Sequence, residues 1–144
     1  MRCEDVRRAA TVPFPDMVEA VRLRVILTAV SLRLRLPQRW NRRWLSSRPD
    51  RAEPTPGPET RNKIERFVRL TRIVASPRFA RGMTCLRRSL ALRCRLSRFG
   101  VRAGLVYGAR KVEGRTQAHA WLEVGALKID SYGTDSSFSP FQRP

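Results

Sequence analysis

The chain has little from which to build a metal centre or a disulfide framework. Its three cysteines, Cys3, Cys85 and Cys94, are an odd number with no CxxC spacing, and His119 is the only histidine. Such a set argues against a disulfide scaffold, and a four-ligand zinc site would have to recruit scattered acids. There is no GxxxxGK loop, so nucleotide use is not supported and no cofactor is implied. The amino terminus carries Glu4 and Asp5 without a following apolar core, which excludes a secretory signal. A reducing cytoplasmic setting is therefore expected, in which a free thiol persists. Long apolar runs are missing too. In the helix-like segment Met17 to Leu36 the longest charge-free stretch, Val25 to Leu32, has 8 residues, far short of the ~20 that span a bilayer.

Acids and lysines are also scarce. Twelve acids face 30 basic side chains, giving a net charge of +18, and only 3 of the basic residues are lysine. Residues 1–60 carry a net +5 and residues 61–144 a net +13, so the excess does not sit in a detachable tail. A field of this sign favours nucleic acid, anionic lipid or acidic peptide. The arginines are interspersed through every segment, as a biased codon supply would leave them. They form no RNP motif, zinc finger or aromatic platform, so a specific nucleic-acid site is not expected.

At 144 residues there is room for one modest core with appended segments. Residues 1–16, with prolines at 13 and 15 and no periodicity, are expected to be disordered. A helical segment follows over 17–45, its first helix stopped by Pro37. Arg22 and Arg33 line up on one stripe of that helix and Arg24 and Arg35 on another. Two arrangements stay open: packing on the domain with snorkelling arginines, or a membrane-surface anchor. Trp40 and Trp44 suit either an interface belt or a partner groove. Residues 46–59 hold four prolines and one glycine and read as a linker. The domain itself is expected over 60–144. Thr60 can cap a helix to about Ala75, with Ile64, Phe67, Val68, Thr71 and Val74 on its buried face. A further helix, Cys85 to Phe99, should bury its leucines and Cys94 and turn Arg87, Arg88, Arg95 and Arg98 outward, with Gly100 as its left-handed cap. The rhythm then becomes β. Strands are expected at 101–109, 117–124 and from 127 to about 132, with a loop over 111–116 and a Ser- and Pro-rich surface tail from 133. Helices followed by strands make an α+β fold.

The chemistry gathers at three residues. If Gly125-Ala126 is a two-residue turn, Val124 pairs with Leu127, Glu123 with Lys128, Leu122 with Ile129 and Trp121 with Asp130. Alternation puts Ala118, Ala120, Leu122, Val124, Leu127 and Ile129 on one face, and His119, Trp121, Glu123, Lys128 and Asp130 on the other. His119 and Asp130 become diagonal neighbours with Cα atoms ~7–8 Å apart. A three-residue turn would separate them. Asp130 could then fix one imidazole nitrogen and leave the other to take a thiol proton. Cys85, opening a helix, lies among unpaired N–H groups at the positive end of the dipole. A thiolate is favoured there, and the same N–H groups could hold an oxyanion. Cys94, mid-helix, is the expected core cysteine. Glu123 and Lys128 read as a cross-strand ion pair, and Asp135 is a weaker substitute for Asp130.

These residues resemble the lasso-peptide maturation proteases, bacterial enzymes of transglutaminase-like, papain-related fold. The resemblance lies in Ser76-Pro77-Arg78-Phe79-Ala80, Cys85-Leu86-Arg87-Arg88-Ser89-Leu90-Ala91-Leu92, Arg98-Phe99-Gly100-Val101, Ala118-His119-Ala120-Trp121-Leu122-Glu123-Val124 and Asp130, and covers about residues 60–132. It implies a papain/transglutaminase-like core, the catalytic residues Cys85, His119 and Asp130, and cleavage of a leader from a ribosomally made precursor peptide. Some members of the family carry a winged-helix leader-binding domain, and the residues before 60 leave no room for one. The chain is therefore expected to be the standalone protease half of a split system. Its partners would be the precursor, a separate leader-recognition protein and an ATP-dependent macrolactam cyclase, with peripheral membrane contact through 17–45 left open. The alternatives are an acyltransferase or amidase using the same three residues, and a non-catalytic basic adaptor for nucleic acid or anionic membrane.

Overall fold

The computed structural model describes residues 14–45, 55–76, 84–131 and 138–141. Among these residues four helices come first: α1 (Phe14–Arg33), α2 (Gln38–Leu45), α3 (Pro58–Val74) and α4 (Cys85–Ser97). Four strands follow: β1 (Gly104–Val112), β2 (Arg115–Val124), β3 (Leu127–Ile129) and β4 (Ser139–Pro140). They form one antiparallel sheet in the order β3-β2-β1-β4. Helices on one side of a small antiparallel sheet are the expected α+β arrangement.

The core lies between the helices and one face of the sheet. Leu23, Leu27 and Val30 of α1, at helical spacing, meet Ile64, Phe67 and Leu70 of α3 and Leu90, Leu92 and Leu96 of α4. Ala120, Leu122, Val124 and Ile129 close it from the sheet. Residues 17–45 thus share one core with the domain. α1 begins at Phe14, inside the segment expected to be disordered, because Asp16 has a folded role. Its carboxylate accepts from Arg66 Nε at 2.6 Å and from Arg69 Nη2 at 3.2 Å. α3 also starts earlier than Thr60. Gly57 caps it and Pro58 takes the first turn, where a missing N–H costs nothing. The linker reading therefore fails at Pro58 and Glu59, and its stretch 46–54 lies outside the described residues.

Two arginines of α4 contradict the outward reading. Arg88 and Arg95 are buried. Arg88 Nη2 donates to Ala75 O at 2.6 Å, and Arg95 Nε to Glu19 Oε2 at 2.8 Å. Cys94 is only half-buried and lies outside the core, although burial still pushes its thiol up. At the end of α4, Gly100 has φ 74 and Val101 N–H reaches back to Leu96 O, closing the helix as expected. β1 begins at Gly104 and not at the expected Val101, whose N–H that bond takes up. The loop expected over 111–116 shrinks to a two-residue turn, since Glu113 (φ 49) and Gly114 (φ 77) both take the left-handed conformation such a hairpin needs.

The carboxyl tail is not wholly a surface feature. Phe138 is buried, and β4 pairs Pro140 with Gly108 and Ser139 with Ala109. Gly108 makes this possible, because a Cβ there would lie 2.6 Å from the Trp121 ring and would also strike Ser139 O. Gly108→Ala should therefore displace β4 or Trp121 at a cost of about 1–3 kcal/mol. A thermal melt lowered by several degrees would be the readout, and an unchanged melt would mean that β4 is not held there.

Candidate active site

The two-residue turn at Gly125-Ala126 sets the geometry. Val124 pairs with Leu127, Glu123 with Lys128 and Leu122 with Ile129, the register expected from the alternation. Gly125 alone takes a positive φ, 55°, the signature of a turn with glycine at its first central position. One step beyond β3, Asp130 Oδ2 lies 2.7 Å from His119 Nε2. A carboxylate can only accept, so in the neutral ring this contact places the proton on Nε2 and makes Nδ1 the acceptor nitrogen.

The pair is enclosed. The side chain of His119 is 7 % exposed and that of Asp130 10 %. Phe138 packs on the imidazole with ring centres 4.7 Å apart, and Trp121 stacks on it at 6.0 Å. Trp121 is fixed in turn. Its Nε1–H donates to Glu123 Oε1 at 3.0 Å, and Lys128 Nζ sits 4.6 Å over its ring. Glu123 and Lys128, expected to pair with each other, both serve Trp121.

Cys85 is the first residue of α4. Thr84 caps the helix, its Oγ1 accepting from Arg87 N–H at 3.4 Å. The thiol is free and half-buried, packed against the edge of the core. Ser89, one turn later on the same side, donates its hydroxyl to Ala120 O at 3.0 Å. In this register Ala120 directs its backbone groups toward β3. β3 ends at Ile129, and α4 takes up the carbonyl that the strand leaves. Residues four apart on a helix have Cβ atoms about 5–6 Å apart, and Ala120 is the chain neighbour of His119. The structure thus brings His119 and Asp130 into direct contact and places Cys85 one helical turn from the anchor of its helix on the same strand.

Sequence reasoning missed the frame around these residues. Arg72 of α3 donates through Nη2 to Asp130 O and through Nε to Ser131 O, both at 3.2 Å. Arg88 ties the first turn of α4 to the end of the same α3. One helix end therefore positions both the carboxylate strand and the thiol helix. Ser89, a hydroxyl at a buried position, was the one legible signal of this frame. Asp135, the substitute acid, and Cys3 lie outside the described residues.

A thiol at a helix mouth, an imidazole with a fixed tautomer and a buried carboxylate behind it are the parts of nucleophilic acyl chemistry. The chain belongs to the transglutaminase-like superfamily, whose family profile matches residues 24–143. That superfamily includes cysteine peptidases and related acyl-transfer enzymes. The match starts within α1, in keeping with a core that α1 shares. No curated protein and no solved structure matches the chain.

Proposed function

We propose that the protein is a cysteine endopeptidase that removes the leader from a lasso-peptide precursor, acting with a separate leader-binding protein and an ATP-dependent macrolactam cyclase. The observation that carries the reading is the 2.7 Å contact between Asp130 and His119, made on the strand to which the helix of Cys85 is anchored. Membership of the transglutaminase-like superfamily supports the chemistry, and the sequence resemblance supplies the substrate.

In this mechanism His119 Nδ1 takes the Cys85 proton and the sulfur attacks the scissile carbonyl. Helix N–H groups at Cys85 stabilise the oxyanion. The tetrahedral intermediate collapses, the C–N bond breaks and His119 returns the proton to the leaving amine, which is the amino terminus of the core peptide. Water, deprotonated by the same nitrogen, then hydrolyses the thioester and frees the leader carboxylate. The cyclase would use the freed amine. An amine in place of that water would make the same site an acyltransferase, and the coarser family match accommodates this second reading.

Iodoacetamide provides the first test. Cys85 is expected to be alkylated at least about tenfold faster than Cys94 near neutral pH, because burial keeps the Cys94 thiol protonated. His119→Ala should slow Cys85 and narrow the difference to what burial of Cys94 alone leaves. Equal labelling of the two thiols in the unmodified protein would remove the nucleophile from the proposal. With precursor and leader-binding protein added, mass spectrometry should find free leader and free core. Transfer of the leader to an added amine, with no hydrolysis, would select the acyltransferase.

A further inference from the structure

α1 is apolar on both sides. Its inner side fills the core through Leu23, Leu27 and Val30. Its outer side carries Phe14, Met17, Val18, Val21, Val25 and Leu32, all exposed, with Phe14 at 77 %, Val21 at 64 % and Val25 at 63 %. At about 100° per residue these six fall within about 60° of one line, along a helix about 30 Å long. Singly exposed apolar residues are ordinary, but six on one side of a helix, broken only by Thr28 in that sector, mark an interaction surface.

The charges beside the stripe are all of one sign. Arg22 and Arg33 lie on one flank and Arg24 on the other, and Arg35 follows in the turn after the helix; all four are exposed. Arg24 also reaches Val74 O at 3.4 Å, and Arg33 meets Asn41 Oδ1 and the Trp44 ring. The only acids of α1, Asp16 and Glu19, are buried: Asp16 meets Arg66 and Arg69, and Glu19 meets Arg95 on the inner side and Arg22 at 2.8 Å on the flank. The outer half of α1 therefore offers apolar surface and arginine with no exposed carboxylate. Among the described residues, no helix is long and apolar enough to cross a membrane.

We infer that α1 lies in the plane of an anionic lipid surface, its outer stripe among the acyl chains and its arginines on the phosphates. A lipid headgroup layer presents anions on both flanks of such a helix at once, which matches the two-sided placement of the arginines. An in-plane helix sinks its apolar face about 5–10 Å. Because the inner face of α1 is locked in the core, docking would hold the whole domain at the surface without unfolding it.

The test is co-sedimentation of the full chain with vesicles of phosphatidylcholine alone or mixed with phosphatidylglycerol. Binding is expected to be at least about tenfold tighter with the anionic lipid and to weaken as salt rises. Val21→Glu combined with Val25→Glu should lose about tenfold of that binding with an unchanged circular dichroism melt, since both positions face outward. If the glutamates disturb folding, Val21→Ser with Val25→Ser asks the same question. Absence of binding to anionic vesicles overturns the inference, as does binding that ignores the stripe variants and so reports net charge alone. A stripe-dependent dimer without vesicle binding would assign the face to a second copy and overturn it as well.

Discussion

Asp130→Ala is expected to lower leader cleavage by about 10⁴-fold while the protein stays folded. The expectation follows from what the carboxylate does to the imidazole. At 2.7 Å from Nε2, Asp130 selects the tautomer whose lone pair is on Nδ1, and it stabilises the imidazolium that forms when the thiol proton moves. Alanine removes both effects and leaves Phe138 and Trp121 against the ring, which fix its plane but not its proton. Asp130→Asn should lose about as much although it keeps the shape, because its amide N–H can donate to Nε2 and so put the ring proton on Nδ1, the wrong tautomer for taking the thiol proton. The measurement is kcat/KM for precursor cleavage, with a circular dichroism melt beside it. Activity within about tenfold of the unmodified protein in Asp130→Ala, together with loss in His119→Ala, would take the orienting role away from Asp130.

The pairing of His119 with Asp130 could be read before any coordinates, because it depends on local rules. A Gly-Ala turn fixes a hairpin register, and the register together with alternation decides which side chains meet. The thiol at a helix start was legible from the helical run that opens at Cys85, and the structure adds Thr84 as its cap. What escaped was set by distant partners. Arg88 and Arg95 look like solvated side chains until Ala75 and Glu19 arrive, and Glu19 is 76 residues away from Arg95. Asp16 finds Arg66 and Arg69 50 and 53 residues on. Phe138, in a Ser- and Pro-rich tail, has no periodicity to betray that it covers His119. A +18 chain also hides its structural arginines among the exposed ones, and only burial separates the two kinds.

Glu19→Ala should destabilise the fold by about 3–5 kcal/mol, the range for breaking a buried ion pair by removing one partner. Arg95 is 5 % exposed and Glu19 8 %. The guanidinium meets the carboxylate through both Nε and Nη2 and lies against Phe99 and Phe67, with ring centres 4.6 and 5.3 Å away. Without Glu19 a charge would remain in that apolar setting with its anion gone. Replacing both partners, Glu19→Leu with Arg95→Met, should return much of the loss, because an apolar pair of similar size carries no desolvation cost. The pH dependence follows from the same contact. Burial alone would raise the Glu19 carboxyl, but hydrogen bonds from Arg95 and Arg22 outweigh it and hold the group below its ordinary 4.5. A carboxyl lowered by folding contributes stability that is complete above about pH 4.5 and is lost as pH falls through the folded-state value. Denaturant unfolding should therefore show stability declining below about pH 4.5 in the unmodified protein, and a shallower decline in Glu19→Gln. Parallel curves for the two would mean that the pair does not hold α1 to α4. α1 would then rest on its apolar contacts through Leu23, Leu27 and Val30 and on the bonds of Asp16 to α3.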